Sequence, residues 1–202
     1  MKTTAIPSML VIIVSIGILH LVNMIHDELT IERAMEPVRH LSDARHLIVN
    51  GDYNGAIKEL DDAMMEMRVI EQYTDSSSAA HMERAVEDLE IVEREIRSDS
   101  LVVTDLNKAF FNALNSIAHA CMTISEHNLD QGDRYKAMRF MNATFAEMIA
   151  SLKFVNSDEL KHREEKVIAH VREILDNMEA SEYTYRFDYD HINHELEELI
   201  EK

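Results

Sequence analysis

The stretch Asn50-Gly51-Asp52-Tyr53-Asn54-Gly55-Ala56 decides the fold, because it returns as Gln131-Gly132-Asp133, with Ala137 where the first copy has Ala56. The two turns stand 81 residues apart, and the correspondence runs on in both directions. His46 falls on His127, Glu66-Met67 on Glu147-Met148, Ser76 on Ser157, His81 on His162, Glu83 on Glu164 and Val86 on Val167. Conservative matches fill in between: Ile57 with Met138, Leu60 with Met141, Tyr73 with Phe154. The pattern implies an internal duplication of helical segments. In each copy a Gly-Asp turn ends one helix and starts the next.

Composition agrees with helices. The 202 residues contain only 4 Gly and 2 Pro, too few for the turns of a β-sheet protein. Leu, Ala, Met, Glu, Lys and Arg, which lose little on entering a helix, dominate instead. The fold class predicted is all-α. A net charge of −18 repels phosphate backbones, so nucleic acid is excluded as a partner. The single cysteine, Cys121, permits no internal disulfide and reads as a small core residue.

From Ala5 to Ile25 no charged residue occurs, a length that spans a bilayer as a helix. The short segment before it carries one lysine, and no Ala-x-Ala site follows, so an uncleaved anchor is favoured over a signal peptide. Lys2 precedes the span while Asp27, Glu28 and Glu32 follow it, which leaves the N-terminus inside and the remainder outside. In a bacterium this means a single-pass inner-membrane protein, attached through residues 5–25, with a periplasmic C-terminal domain. Three regions result: 1–27 as anchor or signal peptide, 28–179 as a duplicated antiparallel helical bundle, and 180–202 as an aromatic strap with a C-terminal helix.

Within the bundle, Pro37 is placed to open a helix with Val38, Leu41, Ala44 and Ile48 inward. The next runs from about Asn54 to Tyr73 and buries Ala56, Ile57, Leu60, Ala63, Met64, Met67 and Ile70. A third buries Met82, Val86, Leu89, Val92 and Ile96. A longer helix follows with Val103, Leu106, Phe110, Leu114, Ile117, Cys121 and Ile124 at heptad steps. After the second turn come the stripes Met138, Met141, Phe145, Met148, Leu152 and Leu160, Val167, Val171, Ile174, Met178. Asn156 and Glu159 read as the capping box between them. A last helix is expected over His191 to Ile200.

Asn50 to Ala63 resembles the second half of a tetratricopeptide repeat, through Gly51 at the turn and Tyr53, Ala56 and Ala63 along the helix. That resemblance implies closely packed helical hairpins in two duplicated units. The spacing departs from the family's period of about 34 residues, and Tyr53 and Ala63 become Arg134 and Thr144 in the second copy. The pattern Ala44, Leu47, Gly51, Ala56, Leu60, Ala63 is also similar to the YfdX-type exported bacterial helical proteins. This second resemblance implies an envelope-stress association without an assigned reaction.

Neither a phosphate loop, a nucleophile elbow nor a cysteine pair with metal-ligand spacing is present in the sequence. The function expected is therefore non-enzymatic: a membrane-anchored helical binding or scaffold protein with a protein partner or a second copy of itself. Two sets of residues stand out as candidate sites. Tyr183, Tyr185, Phe187 and Tyr189 alternate, as in an extended segment with one sticky face, and suit either a strap across the bundle or a partner contact. His46, His127, His81 and His162 are kept in both copies and suit Cu or Zn, or a response to pH; otherwise they are structural residues inherited through duplication. The 13 methionines include Met64/Met67 and Met138/Met141, a soft ligand set for Cu(I) unless they fill the core. Asp190, His191, His194, Glu195 and Glu198 set acids and imidazoles on successive turns of the last helix, by default an exposed charged helix end and alternatively a loose site for a divalent cation.

Overall fold

The computed structural model describes residues 32–179 and 186–200. The expected anchor, and Tyr183 and Tyr185 of the aromatic segment, lie outside them. The described residues form seven α-helices and no strand: α1 (32–49), α2 (Tyr53–Glu71), α3 (Ser76–Arg97), α4 (Val103–Asp130), α5 (Arg134–Ser151), α6 (Asp158–Glu179) and α7 (Arg186–Ile200). A 3-10 turn, Leu152–Phe154, follows α5. None of the described helices is long and apolar enough to cross a membrane.

The two Gly-Asp turns are alike bond for bond. In the first, Gly51 N–H donates to Ile48 O (3.0 Å) and Asp52 N–H to Leu47 O (2.9 Å). In the second, Gly132 donates to Leu129 O (2.9 Å) and Asp133 to Asn128 O (2.9 Å). This is the Schellman arrangement, in which the residue after the helix turns left-handed and the stranded carbonyls find donors. The glycines adopt φ +77 and +80, a region that charges any Cβ a steric penalty. The following aspartates cap the next helices, Asp52 accepting from Gly55 N–H and Asp133 from Lys136 N–H.

Beyond α5 the repeat slips by one residue. Six positions separate Ser151 from the Ser157 cap of α6, whereas five separate Ile70 from the Asp75 cap of α3. One residue turns an α-helix by about 100°. At a spacing of 82, Met82, Ala85, Val86, Leu89, Val92 and Ile96 fall on Glu164, Val167, Ile168, Val171, Ile174 and Met178, all buried. At 81, only Val86 and Val167 pair buried with buried among the buried positions of α3. The sequence matches His81/His162 and Glu83/Glu164 are thus not structural equivalents. By these correspondences α4, α5 and α6 follow the order of α1, α2 and α3, and α7 comes after them.

Three other boundaries differ from expectation. Helix α1 is already formed at residue 32 and runs through Pro37, which removes the hydrogen bond to the Arg33 carbonyl. Burial of Ala34 and the Arg33–Glu66 ion pair (3.3 Å) hold that first turn. The cap of α6 is Ser157, whose Oγ accepts from Leu160 N–H (3.2 Å), rather than Asn156. Helix α7 starts at Arg186, so the second half of the expected extended strap is helical. Tyr189, Ile192, Leu196 and Leu199 make one helical stripe, and burying all four outweighs the local alternation of aromatics.

Helix α4 organises the packing. Helices α4, α5, α6 and α7 close into an up-down four-helix square around Met122, Met141, Met148, Val171, Ile174 and Leu196. Helices α1 to α4 enclose a second core built on Leu41, Leu60, Met67, Leu89, Phe110 and Leu114. Because α4 belongs to both, every residue from Ala113 to Met122 is buried, where the sequence suggested a single seam. Ala113, Ala118 and Ala120 let neighbours approach closely on all sides. Phe154 of the 3-10 turn ties the halves together, edge-on to Phe110 (5.2 Å between centroids) and under Arg45 (5.1 Å).

Candidate functional sites

The four histidines singled out by the duplication are not brought together. His46 and His127 are exposed at the ends of α1 and α4, where each takes a hydrogen bond from its own turn, from Asn50 (2.9 Å) and Gln131 (2.7 Å). Their role there is to finish a helix. His162 is exposed on α6, while His81 is buried, as the one-residue slip requires. Neither group of His, Cys, Asp and Glu side chains that converge as metal ligands among the described residues includes any of the four.

His81 instead meets a histidine the duplication did not mark. Its ring stands edge-on to His119 at 5.5 Å, and Arg84 donates to its Nδ1 (3.1 Å). His119 has Ser78 Oγ at 3.1 Å from Nδ1 and Glu197 of α7 at 3.9 Å from Nε2. Burial, and then the neighbouring His81, hold His119 below the ordinary imidazole range. A histidine in the run Ile117-Ala118-His119-Ala120-Cys121 was the available signal, but only a helix buried on every side turns it inward.

Of the aromatic segment, Phe187 lies in α7 and Tyr189 is fully buried, its hydroxyl 3.2 Å from Ser125 Oγ and 3.7 Å from Met178 Sδ. Tyr189 is therefore a core residue and not a partner contact. Met64, Met67 and Met141 are likewise buried among apolar side chains, filling the two cores, and Met138 is partly buried against the core of α4–α7. Cys121 is fully buried, and burial pushes its thiol up, which keeps it protonated and unreactive.

Two acids, Glu147 of α5 and Glu164 of α6, are buried in the α4–α7 half. Glu164 occupies the position that Met82 fills in the first copy. Ser151 Oγ and Asn115 Nδ2 donate to its Oε1, while Oε2 has no hydrogen-bond partner. Burial raises its carboxyl to about 7, against the opposing pull of those two donors. Glu147 corresponds to Glu66, but the Arg33 that pairs with Glu66 becomes Leu114. Fully desolvated and without that cation, Glu147 is held well above the carboxylate range.

At the surface two features can bind something. One is a groove of about 200 Å³ between α3 and α4, lined by Asp88, Ile91, Val92, Glu95, Asp105, Lys108 and Ala109. Ile91 (44 % exposed) leaves apolar area open in it, and Val102 (46 %) and Val103 (67 %), which precede Asp105 in the chain, are exposed as well. Val103 thus falls outside the buried seam expected for α4. Glu95 presents a solvent-shielded Oε2 with no hydrogen-bond partner. The other is on α6 and α7, where Glu195 lies between two imidazoles, Oε2 at 2.9 Å from His170 Nδ1 and Oε1 at 3.6 Å from His191 Nε2. The sequence pointed to His191 and Glu195 but not to His170, which joins them only across the helix interface. The chain matches no family model, no curated protein and no solved structure.

Proposed function

We propose that this protein is a non-enzymatic helical binding module, held at a membrane by its apolar segment Ala5–Ile25. Its partner is a protein that offers a basic amphipathic segment to the groove between α3 and α4. The observation that carries this reading is a groove in which the exposed Ile91 stands among three acids, Asp88, Glu95 and Asp105, against one lysine, Lys108, on a chain of net charge −18. Ile91 and Val103 supply apolar area that gains by losing water, about 25 cal/mol per Å² covered. Glu95 and Asp105 favour a lysine or arginine alongside it, and charged surroundings speed the encounter. The orientation favoured by the flanking charges places this groove outside the cytoplasm.

A photocrosslinking residue placed at Val103 in the full-length protein in its native membrane tests the proposal, with Val49, also exposed (78 %), as the control site. A discrete adduct from Val103 alone is expected, whose crosslinked peptide interleaves Lys or Arg with apolar residues. Ile91→Asp and Glu95→Gln are expected to abolish it. Equal adducts from both sites, an acidic peptide, no adduct, or indifference to both substitutions would overturn it.

A further inference from the structure

The geometry points to a divalent-cation site of the zinc class formed by His170 of α6 with His191 and Glu195 of α7, a site independent of the α3–α4 groove. His191 and Glu195 are four residues apart, so they share one face of α7, and antiparallel packing sets His170 opposite them. The imidazole rings lie 5.6 Å apart, and the ligand atoms of all three side chains fall within 4.8 Å of one another. A zinc-class ion needs about 2.0–2.2 Å to imidazole nitrogen and carboxylate oxygen. Small rotations of three half-buried or exposed side chains bring the donors to that distance.

Two neutral imidazoles and one carboxylate match the borderline-soft preference of zinc and leave one tetrahedral position for water. The two histidines also line a cavity of about 210 Å³, together with Glu173, Ile174, Asn177 and Ile192. Glu173 adds negative charge beside the cation. Of the basic side chains on α6, Arg163 is paired with Glu198 (2.9 Å) and Arg172 with Asp176 (3.3 Å), while Lys166 lines a separate pocket with Arg163, Glu195 and Glu198, apart from the two histidines' cavity. His194 pairs with Glu198 (3.5 Å) and stays apart from the site.

The other converging group, His40, Glu59 and Asp62, makes a useful contrast. There the Arg39 guanidinium lies 3.0 Å from His40 Nε2. The same donor types are present, but Arg39, itself held by Glu36 (2.6 Å), already engages the imidazole nitrogen that a metal would need.

Because its ligands come from two helices, a bound ion fastens α7 to α6 and stabilises the folded chain. At a hundredfold excess over Kd the midpoint of thermal unfolding is expected to rise by about 5–10 °C. Zinc titration by calorimetry on the full chain, with cobalt substitution to read coordination, tests the site. One equivalent of Zn²⁺ is expected, with the visible absorption of four-coordinate Co²⁺. His191→Asn and Glu195→Gln, at exposed or half-exposed positions, should each lower affinity at least tenfold and remove the cobalt band, while His40→Asn changes neither. Absence of binding, binding untouched by His191→Asn and Glu195→Gln, or a loss caused by His40→Asn would overturn the assignment. Circular dichroism of the variants keeps a folding defect distinct from loss of a ligand.

Discussion

Glu164→Gln isolates the energetic cost of a core acid. In the folded chain the Glu164 carboxyl is raised from 4.5 to about 7 by burial. The folded state therefore holds this proton over a pH range in which the unfolded chain has lost it. Stability from this group is complete below about pH 4.5 and declines as pH rises through 7. With 1.36 kcal/mol for each tenfold change in proton affinity, the loss at pH 8 is about 3 kcal/mol. Glutamine reproduces the protonated acid: its Oε1 accepts from Ser151 and Asn115 as before, and no charge has to be desolvated. The variant should match the parent near pH 4.5 and exceed it by about 3 kcal/mol at pH 8, or about 6–12 °C in thermal midpoint for a chain of this size. Urea unfolding of both proteins from pH 4.5 to 8.5 reads the difference, in which the contributions of Glu147 and His119 cancel. A difference independent of pH, or a variant less stable than the parent at pH 8, would refute the reasoning.

Gly51→Ala and Gly132→Ala should each cost about 1–2 kcal/mol, because a Cβ at either place meets no neighbour within 4 Å and only the left-handed backbone resists it. Equal and additive losses in urea unfolding are expected from two matching turns in separate places. Asp75→Ala and Ser157→Ala should each lower stability by about 1 kcal/mol through loss of a helix cap, while Asn156→Ala leaves it nearly unchanged. The reverse order for Asn156 and Ser157 would remove the one-residue slip.

What the sequence determined by itself is what a few consecutive residues determine. Gly51-Asp52 and Gly132-Asp133 terminate and restart helices through bonds within six residues, so the all-α class, the turns and the stripes of α2 and α3 were legible in advance. The tertiary structure alone decided which face of α6 turns inward, because one extra residue before Ser157 rotates the whole helix and no local signal registers a rotation. That rotation separates His81 from His162 and sends Glu164 into the position of Met82. It also turns His170 toward His191 and Glu195. The same holds for α4: its spacing announced one buried seam, but two bundles share it, and only their joint packing buries His119, Asn115 and Ser116. Tyr189 likewise read as part of an alternating strap until the stripe of α7 drew it into the core. Local bonding fixes where helices begin and end; which side chains meet depends on rotations that accumulate along the chain and are settled only by packing.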